Sequence, residues 1–333
     1  GISEGSHTLY VQERDAAGNW SSSGSRTIVI DTTAPAITGT TVASNNESIA
    51  VTFSEAVYNT SGGSGALEAS DFTLTLSSGT ATLSSATPSS ISSSSNTYTL
   101  GLSLSGTPNG SETITVVPSS STAIYDAAGN AASTSQSNNT VTLNDKTVPT
   151  LSSVGIASNN STITLAKVAD VVTLTFTASE TIATPVVTFE SGSAAITDNT
   201  ITYASSGNVW TAAYTAHASD TDGSVTYSIA FSDSAGNAGT AVTSGSGSVT
   251  FNKTAPTVSR VSTTADNQSS VAITDNITVT FSEAMDNTTV TTNTDNTTCY
   301  GSLELSSDNF SSCVQMSSAP ASSSDNMTFT LNP

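Results

Sequence analysis

The sequence predicts an all-β chain, a tandem array of Greek-key β-sandwiches, and three observations carry that prediction. Apolar and polar residues alternate through many short runs, which is the period of a half-buried strand. Thr, Val and Ile dominate those runs, and no window shows a 3.6-residue period. A pair of short signals also recurs at domain-sized spacing. Asp15-Ala-Ala-Gly-Asn19 precedes Asp31-Thr-Thr-Ala-Pro35, Asp126-Ala-Ala-Gly-Asn130 precedes Asp145-Lys-Thr-Val-Pro149, and Asp233-Ser-Ala-Gly-Asn237 precedes Asn252-Lys-Thr-Ala-Pro256. Loop signals start at 15, 126 and 233, and linker signals at 31, 145 and 252, in steps of 107 to 114 residues. A step of ~110 residues is one sandwich domain, longer than solenoid repeats of roughly 20–50.

The linkers divide the chain into residues 1–30, a module at 31–144, a module at 145–251 and a further piece at 252–333. Residues 1–30 read as the last two strands of a preceding module, His7 to Val11 and Thr27 to Ile30 around the Asp15–Asn19 turn. The first whole module alternates through Ile49 to Phe53, Phe72 to Leu76, Tyr98 to Leu104 and Glu112 to Val117, and closes on Val141 to Leu143. Ser-, Gly- and Asn-rich turns separate these runs. The second repeats the plan with Asp170 to Phe176, Pro185 to Phe189, Thr200 to Tyr203, Val209 to Tyr214, Val225 to Phe231 and Ser248 to Phe251. The third begins with Asn276 to Phe281 and ends inside a strand pattern at Met327 to Leu331. The chain therefore reads as a window on a longer protein.

Composition narrows the function classes. Charged residues are 10% of 333, against a usual ~25%, and Ser and Thr fill the gap. Six basic residues against 26 acidic ones give a formal net charge of −20, which repels nucleic acid and anionic lipid and favours cations. Apolar residues at 35%, set in alternating runs, argue against disorder. No apolar run approaches the ~20 residues of a membrane helix. Catalysis has little support. Gly1-Ile-Ser-Glu-Gly5 matches Gly-x-Ser-x-Gly, but a strand pattern follows it where that elbow needs a helix. His7 and His217 are the only histidines, and neither has the neighbours of a general base.

Thr52-Phe-Ser-Glu-Ala56, its echo Thr280-Phe-Ser-Glu-Ala284, the Asp-Ala-Ala-Gly-Asn loops and the Asp-Thr-Thr-Ala-Pro linker resemble bacterial Ig-like domains of very large surface proteins and adhesins. The resemblance covers essentially the whole chain. It implies tandem Ig-like sandwiches in an extracellular, non-catalytic, repetitive stalk. In some such arrays calcium rigidifies the junctions.

Sandwich topology gives the acidic residues a shared address. The first strand starts at the N-terminal pole, and the loops after the second strand and between the last two strands also lie there. This expects Asp31, Glu55, Asp126 and Asn130 to gather at one junction. It expects Asp145, Glu180, Asp233 and Asn237 to gather at the next. Such oxygen donors suit calcium, which takes 6–8 oxygens. A plainer reading stands beside it: Asp at the head of a turn bonds its own backbone, and Gly and Asn tolerate left-handed geometry. Asn252 replaces the linker Asp at the third junction, which is expected to bind more weakly or not at all.

Cys299 and Cys313 are expected to form a disulfide in an oxidising compartment, since neither a CxxC spacing nor a nearby His favours metal. Cys313 resembles the second cysteine of a bacterial Ig-like subtype in which such a pair recurs. Trp210 alternates with Ala212 and Tyr214 and is expected in the core, whereas Trp20 follows a turn and is expected to be exposed.

The N-terminal 30 residues and the last 82 together approach one module length, and each supplies in kind what the other lacks. Two partner readings stay open: neighbouring modules of one long chain, or identical subunits complementing each other head to tail in a filament. The expected function is an extracellular structural or adhesive rod, stalk or filament. The alternatives are an adhesin region that binds a cell-surface or glycan ligand, for which the Gly-rich Asn59–Ala66 loop is the one candidate, and accessory domains of a secreted polysaccharide-degrading enzyme.

Overall fold

A computed structural model describes residues 1–263, 272 and 275–333. The part of the 252–333 piece at 264–271, 273 and 274 lies outside the described residues. The fold is all-β, relieved by a single 3₁₀ turn at Ala69–Asp71 among the described residues.

Residues 5–30 form an antiparallel hairpin, Gly5–Val11 with Gly24–Ile30. In the first module one sheet orders its strands Ile37–Val42, Ser48–Phe53, Thr97–Gly101 and Ile91–Ser94, and the facing sheet orders Thr140–Thr142, Thr113–Pro118 and Phe72–Ser77. The period-two pattern explains the layering. Ile49, Val51 and Phe53 point inward from one strand and Ile114 and Val116 from the opposite sheet, and all are buried. Phe53 and Tyr98 meet edge-on with ring centroids 5.9 Å apart, a favoured aromatic geometry.

The second module repeats this. Leu151–Ser158, Val171–Ala178, Val209–Thr215 and Thr202–Ser206 form one sheet, and Gly223–Ala230 is central to the other beside Val186–Ser191 and Thr250–Phe251. Its core holds Val172, Leu174, Phe176, Phe189, Tyr214, Ile229 and Phe251. The C-terminal module has a single sheet among the described residues, ordered Val258–Thr263, Ile277–Phe281, Thr328–Leu331 and Ala321–Ser322.

Three details differ from the sequence reading. The first strand of each module, Ile37–Val42, Leu151–Ser158 and Val258–Thr263, was not legible, because Gly, Ser and Thr dilute its apolar alternation. The run Tyr98 to Leu104 breaks after Gly101, where a Cβ would meet the Ser89 and Ser90 hydroxyls at 2.5 Å; Leu104–Ser105 instead pairs with Thr82–Leu83. Trp210 packs on the core from a half-buried position near the start of its strand, on the face where Ala212 and Tyr214 are buried.

Candidate functional site at the module junctions

Each linker opens with the same turn. The Asp31 Oδ1 accepts from the Thr33 backbone N–H at 3.0 Å, Asp145 from Thr147 at 2.8 Å and Asn252 from Thr254 at 2.8 Å. The proline that follows has no N–H to continue the preceding ladder.

The loop signal folds into a clasp. Asp126 accepts from the Asn130 backbone N–H at 2.8 Å and from its Nδ2 at 2.7 Å; Asp233 and Asn237 repeat this at 2.7 and 2.6 Å. Gly129 and Gly236 close these turns at φ of 93° and 92°, in the left-handed region that glycine enters without strain. The same Nδ2 atoms also donate to the linker carbonyls, Asn130 to Asp31 and Asn237 to Asp145, each at 3.2 Å. Asn130 and Asn237 therefore tie loop to linker, with their amide nitrogens inward.

Glu55 and Glu180 enter from the loops after Ser48–Phe53 and Val171–Ala178. Asp31, Glu55 and Asp126 each bring a carboxylate oxygen within 4.8 Å of the others, and so do Asp145, Glu180 and Asp233. Asp126 and Asp233 are buried, the other four half-buried. Burial raises Glu55 above the ordinary carboxylate range, and the charges of Asp126, Asp31 and Glu4 raise it further. Burial, then Asp145 and Asp233, raise Glu180. Burial also works to raise Asp233, but the Asn237 amide and the loop N–H groups outweigh it and hold the carboxyl low.

The turn reading and the ligand reading coexist in this geometry. A carboxylate offers about four lone-pair sites, and the turn takes one of Asp31 and of Asp145. What remains is an oxygen-only donor set of net negative charge, which fits a hard cation such as calcium.

Sequence reasoning missed three acidic residues. The Thr33 hydroxyl donates to Glu4 Oε1 at 2.6 Å, which brings the preceding hairpin to the first linker. At the other junctions Thr147 donates to the Pro108 carbonyl at 3.2 Å and Thr254 to Asp222 at 2.7 Å. The signal was present: Glu4-Gly5-Ser6, Asn109-Gly110-Ser111 and Asp222-Gly223-Ser224 stand at equivalent places. Glu283, inside the quoted Phe-Ser-Glu-Ala echo, accepts from Asn252 Nδ2 at 2.6 Å.

The remaining candidates resolve plainly. Cys299 and Cys313 are joined as a disulfide, so neither sulfur is free for metal beside Glu304. A strand begins at Gly5, directly after the Gly1–Gly5 elbow. His217 is exposed, and its Nδ1 accepts from the Ser219 N–H. Trp20 is exposed under the Arg14 guanidinium, 5.9 Å from the ring centre. The Asn59–Ala66 loop lies against the Asp126–Asn130 clasp: a Cβ on Gly63 would meet the Ala127 carbonyl at 2.9 Å. No helix among the described residues is long and apolar enough to cross a membrane.

Comparison with known proteins agrees with this architecture in one module directly. Residues 252–333 match the family model of bacterial Ig-like domains. The family supports a structural or adhesive, non-catalytic role for such repeats, and is equally compatible with modules that accompany an enzyme. No curated protein matches the chain. Among solved structures, an I-band fragment I67–I69 from titin is 9% identical over 90% of this chain and 88% of that one, with a TM-score of 0.36. The I9–I11 tandem from titin is 10% identical over 88% and 82%, with a TM-score of 0.25. The sandwich assignment rests on strand pairing, to which superpositions this loose add nothing.

Proposed function

We propose that this chain is a non-catalytic structural stretch of an extracellular rod, stiffened by calcium at the junctions beginning at Asp31 and Asp145. One observation carries the reading. At each of these junctions three carboxylates from three chain-distant segments converge within 4.8 Å, and every charge acting on the central glutamate is negative. Such a cluster needs either a shared proton or a cation. A bound divalent cation would supply the charge that keeps all three ionised side by side at neutral pH.

The residues do the mechanical work. Asp31 and Asp145 belong to the linkers, whereas Glu55 with Asp126 and Glu180 with Asp233 belong to the body of the following module. Thr33 and Thr147 fasten those linkers to the preceding module through Glu4 and the Pro108 carbonyl. Fixing the linker against both neighbours removes hinge freedom. Placement outside the cell is supported by the Cys299–Cys313 disulfide, which persists in oxidising compartments. The hydroxyl-rich, charge-poor composition suits the same setting.

Small-angle scattering with calcium and with EGTA tests the proposal. The expected outcome is a longer, narrower distribution of distances with calcium. A maximum dimension indifferent to chelation rejects it.

A further inference from the structure

Asn109-Gly110 is the one Asn-Gly pair in the sequence, and it lies in the seat of a linker. The Pro108 carbonyl accepts from the Lys146 backbone N–H at 2.8 Å and from the Thr147 hydroxyl at 3.2 Å. Asp145 packs on Gly110, where an added Cβ would stand 3.2 Å from the Asp145 Cβ. Glu112, 0% exposed, holds the seat from behind by accepting from the Asn109 N–H at 3.0 Å.

At the other two seats the residue before Gly-Ser is an acid that holds the linker. Asp222 accepts from the Lys253 N–H at 2.8 Å and from the Thr254 hydroxyl at 2.7 Å, and Glu4 accepts from the Thr33 hydroxyl at 2.6 Å. Asn109 is turned away from its linker. Its Oδ1 accepts from the Ser111 N–H at 3.1 Å, two residues on.

That turn arranges a reaction. Asparagine is a chemically labile residue, and a glycine after it leaves the main-chain nitrogen unshielded. Gly110 has φ 75°, in the left-handed region that glycine enters without strain. The Ser111 N–H points at the oxygen on which negative charge develops when the side-chain carbonyl is attacked, and so stabilises that charge. Among the described residues the Gly110 N–H and the Asn109 Nδ2 donate to no partner, so nucleophile and leaving group are both free. Both residues are half-buried, within reach of water.

We infer that Asn109 is a site of spontaneous deamidation, a covalent change that recasts the seat of the Asp145 linker. The Gly110 nitrogen gives its proton to solvent and bonds to Asn109 Cγ. Nδ2 takes a proton and leaves as ammonia, which closes a five-membered succinimide. Water then opens the ring at either carbonyl. Breaking the new bond to Cγ yields aspartate, the residue already present at 222. Breaking the original peptide bond yields isoaspartate, with the main chain rerouted through Cγ and lengthened by a methylene. One water is consumed and one ammonia released, and nothing is oxidised or reduced. Both products add a negative charge to the seat. The second also moves the Pro108 carbonyl relative to Gly110, the two groups that hold the linker.

Ageing the 333-residue polypeptide in EGTA at mildly alkaline pH tests this without involving metal. Ageing runs until a portion unfolded in urea has converted, which fixes the time scale. Anion exchange of the folded portion is expected to show a species more acidic by one charge, and peptide fragmentation to place the change at 109 with both products present. Asn109 still an amide in the folded protein at that time overturns the inference, as does conversion that spares 109 and falls elsewhere. Asn109→Gln would have to close a larger ring, so its acidic species is expected to form far more slowly; formation at the parent's rate overturns the assignment. Hydrogen exchange reads the seat itself. The Lys146 amide is expected to lose protection in the isoaspartyl species, and protection equal to that of fresh protein overturns the effect on the linker.

Discussion

The junctions at 145 and 252 share a turn, a threonine tie to the preceding module and a glutamate after the second strand, but they close differently. At the first, Asp145 faces Glu180 and Asp233, three like charges with no basic partner among those acting on the glutamate. At the second, Asn252 stands in place of the Asp and donates its amide to Glu283 at 2.6 Å. One substitution of oxygen by nitrogen turns a repulsive contact into a hydrogen bond. A junction that closes by a hydrogen bond needs neither the shared proton nor the cation that three adjoining carboxylates call for. The comparison thus separates positions that shape the turn from positions that set its charge.

The largest effect is expected from Asp233→Asn. The new amide places a donor against the Asn237 amide donor, so a buried clasp loses at least one bond and the junction one charge. The second module is expected to lose about 1–3 kcal/mol, the cost of unsatisfied buried polar groups, read as faster hydrogen exchange across the loop in chelator. Calcium binding at this junction is expected to weaken by about tenfold or more, since ligand charge count sets affinity in such sites. Unchanged calorimetric binding removes Asp233 from the ligand set.

Asp145→Asn converts the second junction into a copy of the third. Calorimetry is expected to count one calcium site fewer. In chelator the variant is expected to be more stable than the parent by about 1 kcal/mol, the net worth of one hydrogen bond. A parent and variant with equal calcium response would mean that Asp145 serves the turn alone. The reverse change, Asn252→Asp, is expected to cost about 0.5–1 kcal/mol in chelator, discounted because the site is exposed. It is expected to recover little with calcium, because the described residues include no third carboxylate there comparable to Asp233.

How far the sequence led follows the same division. The loop and linker signals located the carboxylates because Asp, Gly and Asn at fixed spacing leave the backbone few conformations, and sandwich topology then places those turns at one pole. Glu4 escaped because the first residue of its triplet differs from one module to the next, Glu4, Asn109 and Asp222 before Gly-Ser, and its bond to Thr33 is a tertiary contact. Glu283 was visible in its motif, but its partner Asn252 could only be found by tertiary contact. The inner strands were legible from alternation. The first strands were not, because a run such as Ile37-Thr-Gly-Thr-Thr-Val42 carries too few apolar residues to show a period, and pairing with Ser48–Phe53 together with the buried Ile37 at its start fixes it.

The smallest effect is expected in the pH dependence, and it isolates Glu55. Without metal its folded-state pKa lies above the ordinary 4.5, first through burial and then through Asp126, Asp31 and Glu4. Above pH 4.5 the folded protein therefore holds a proton that the unfolded chain has released. Its stabilisation is complete below 4.5 and is lost as pH rises through the raised value. Glu112 in the same module runs the other way. Burial favours its neutral form, but N–H groups of Ala81, Glu112 itself, Thr80 and Asn109 outweigh this and hold it below 4.5, so its contribution is lost as pH falls. Thermal unfolding of metal-free protein from pH 3 to 8 is thus expected to show a decline on each side of a maximum. Glu55→Gln is expected to shallow the alkaline side and leave the acid side alone, because a neutral amide at 55 carries no proton to lose. Calcium added at neutral pH is expected to abolish the alkaline decline in the parent, since three ionised carboxylates are then the form that binds. A parent and a Glu55→Gln variant with superimposable curves would mean that solvent, rather than the neighbouring carboxylates, sets the charge at this junction.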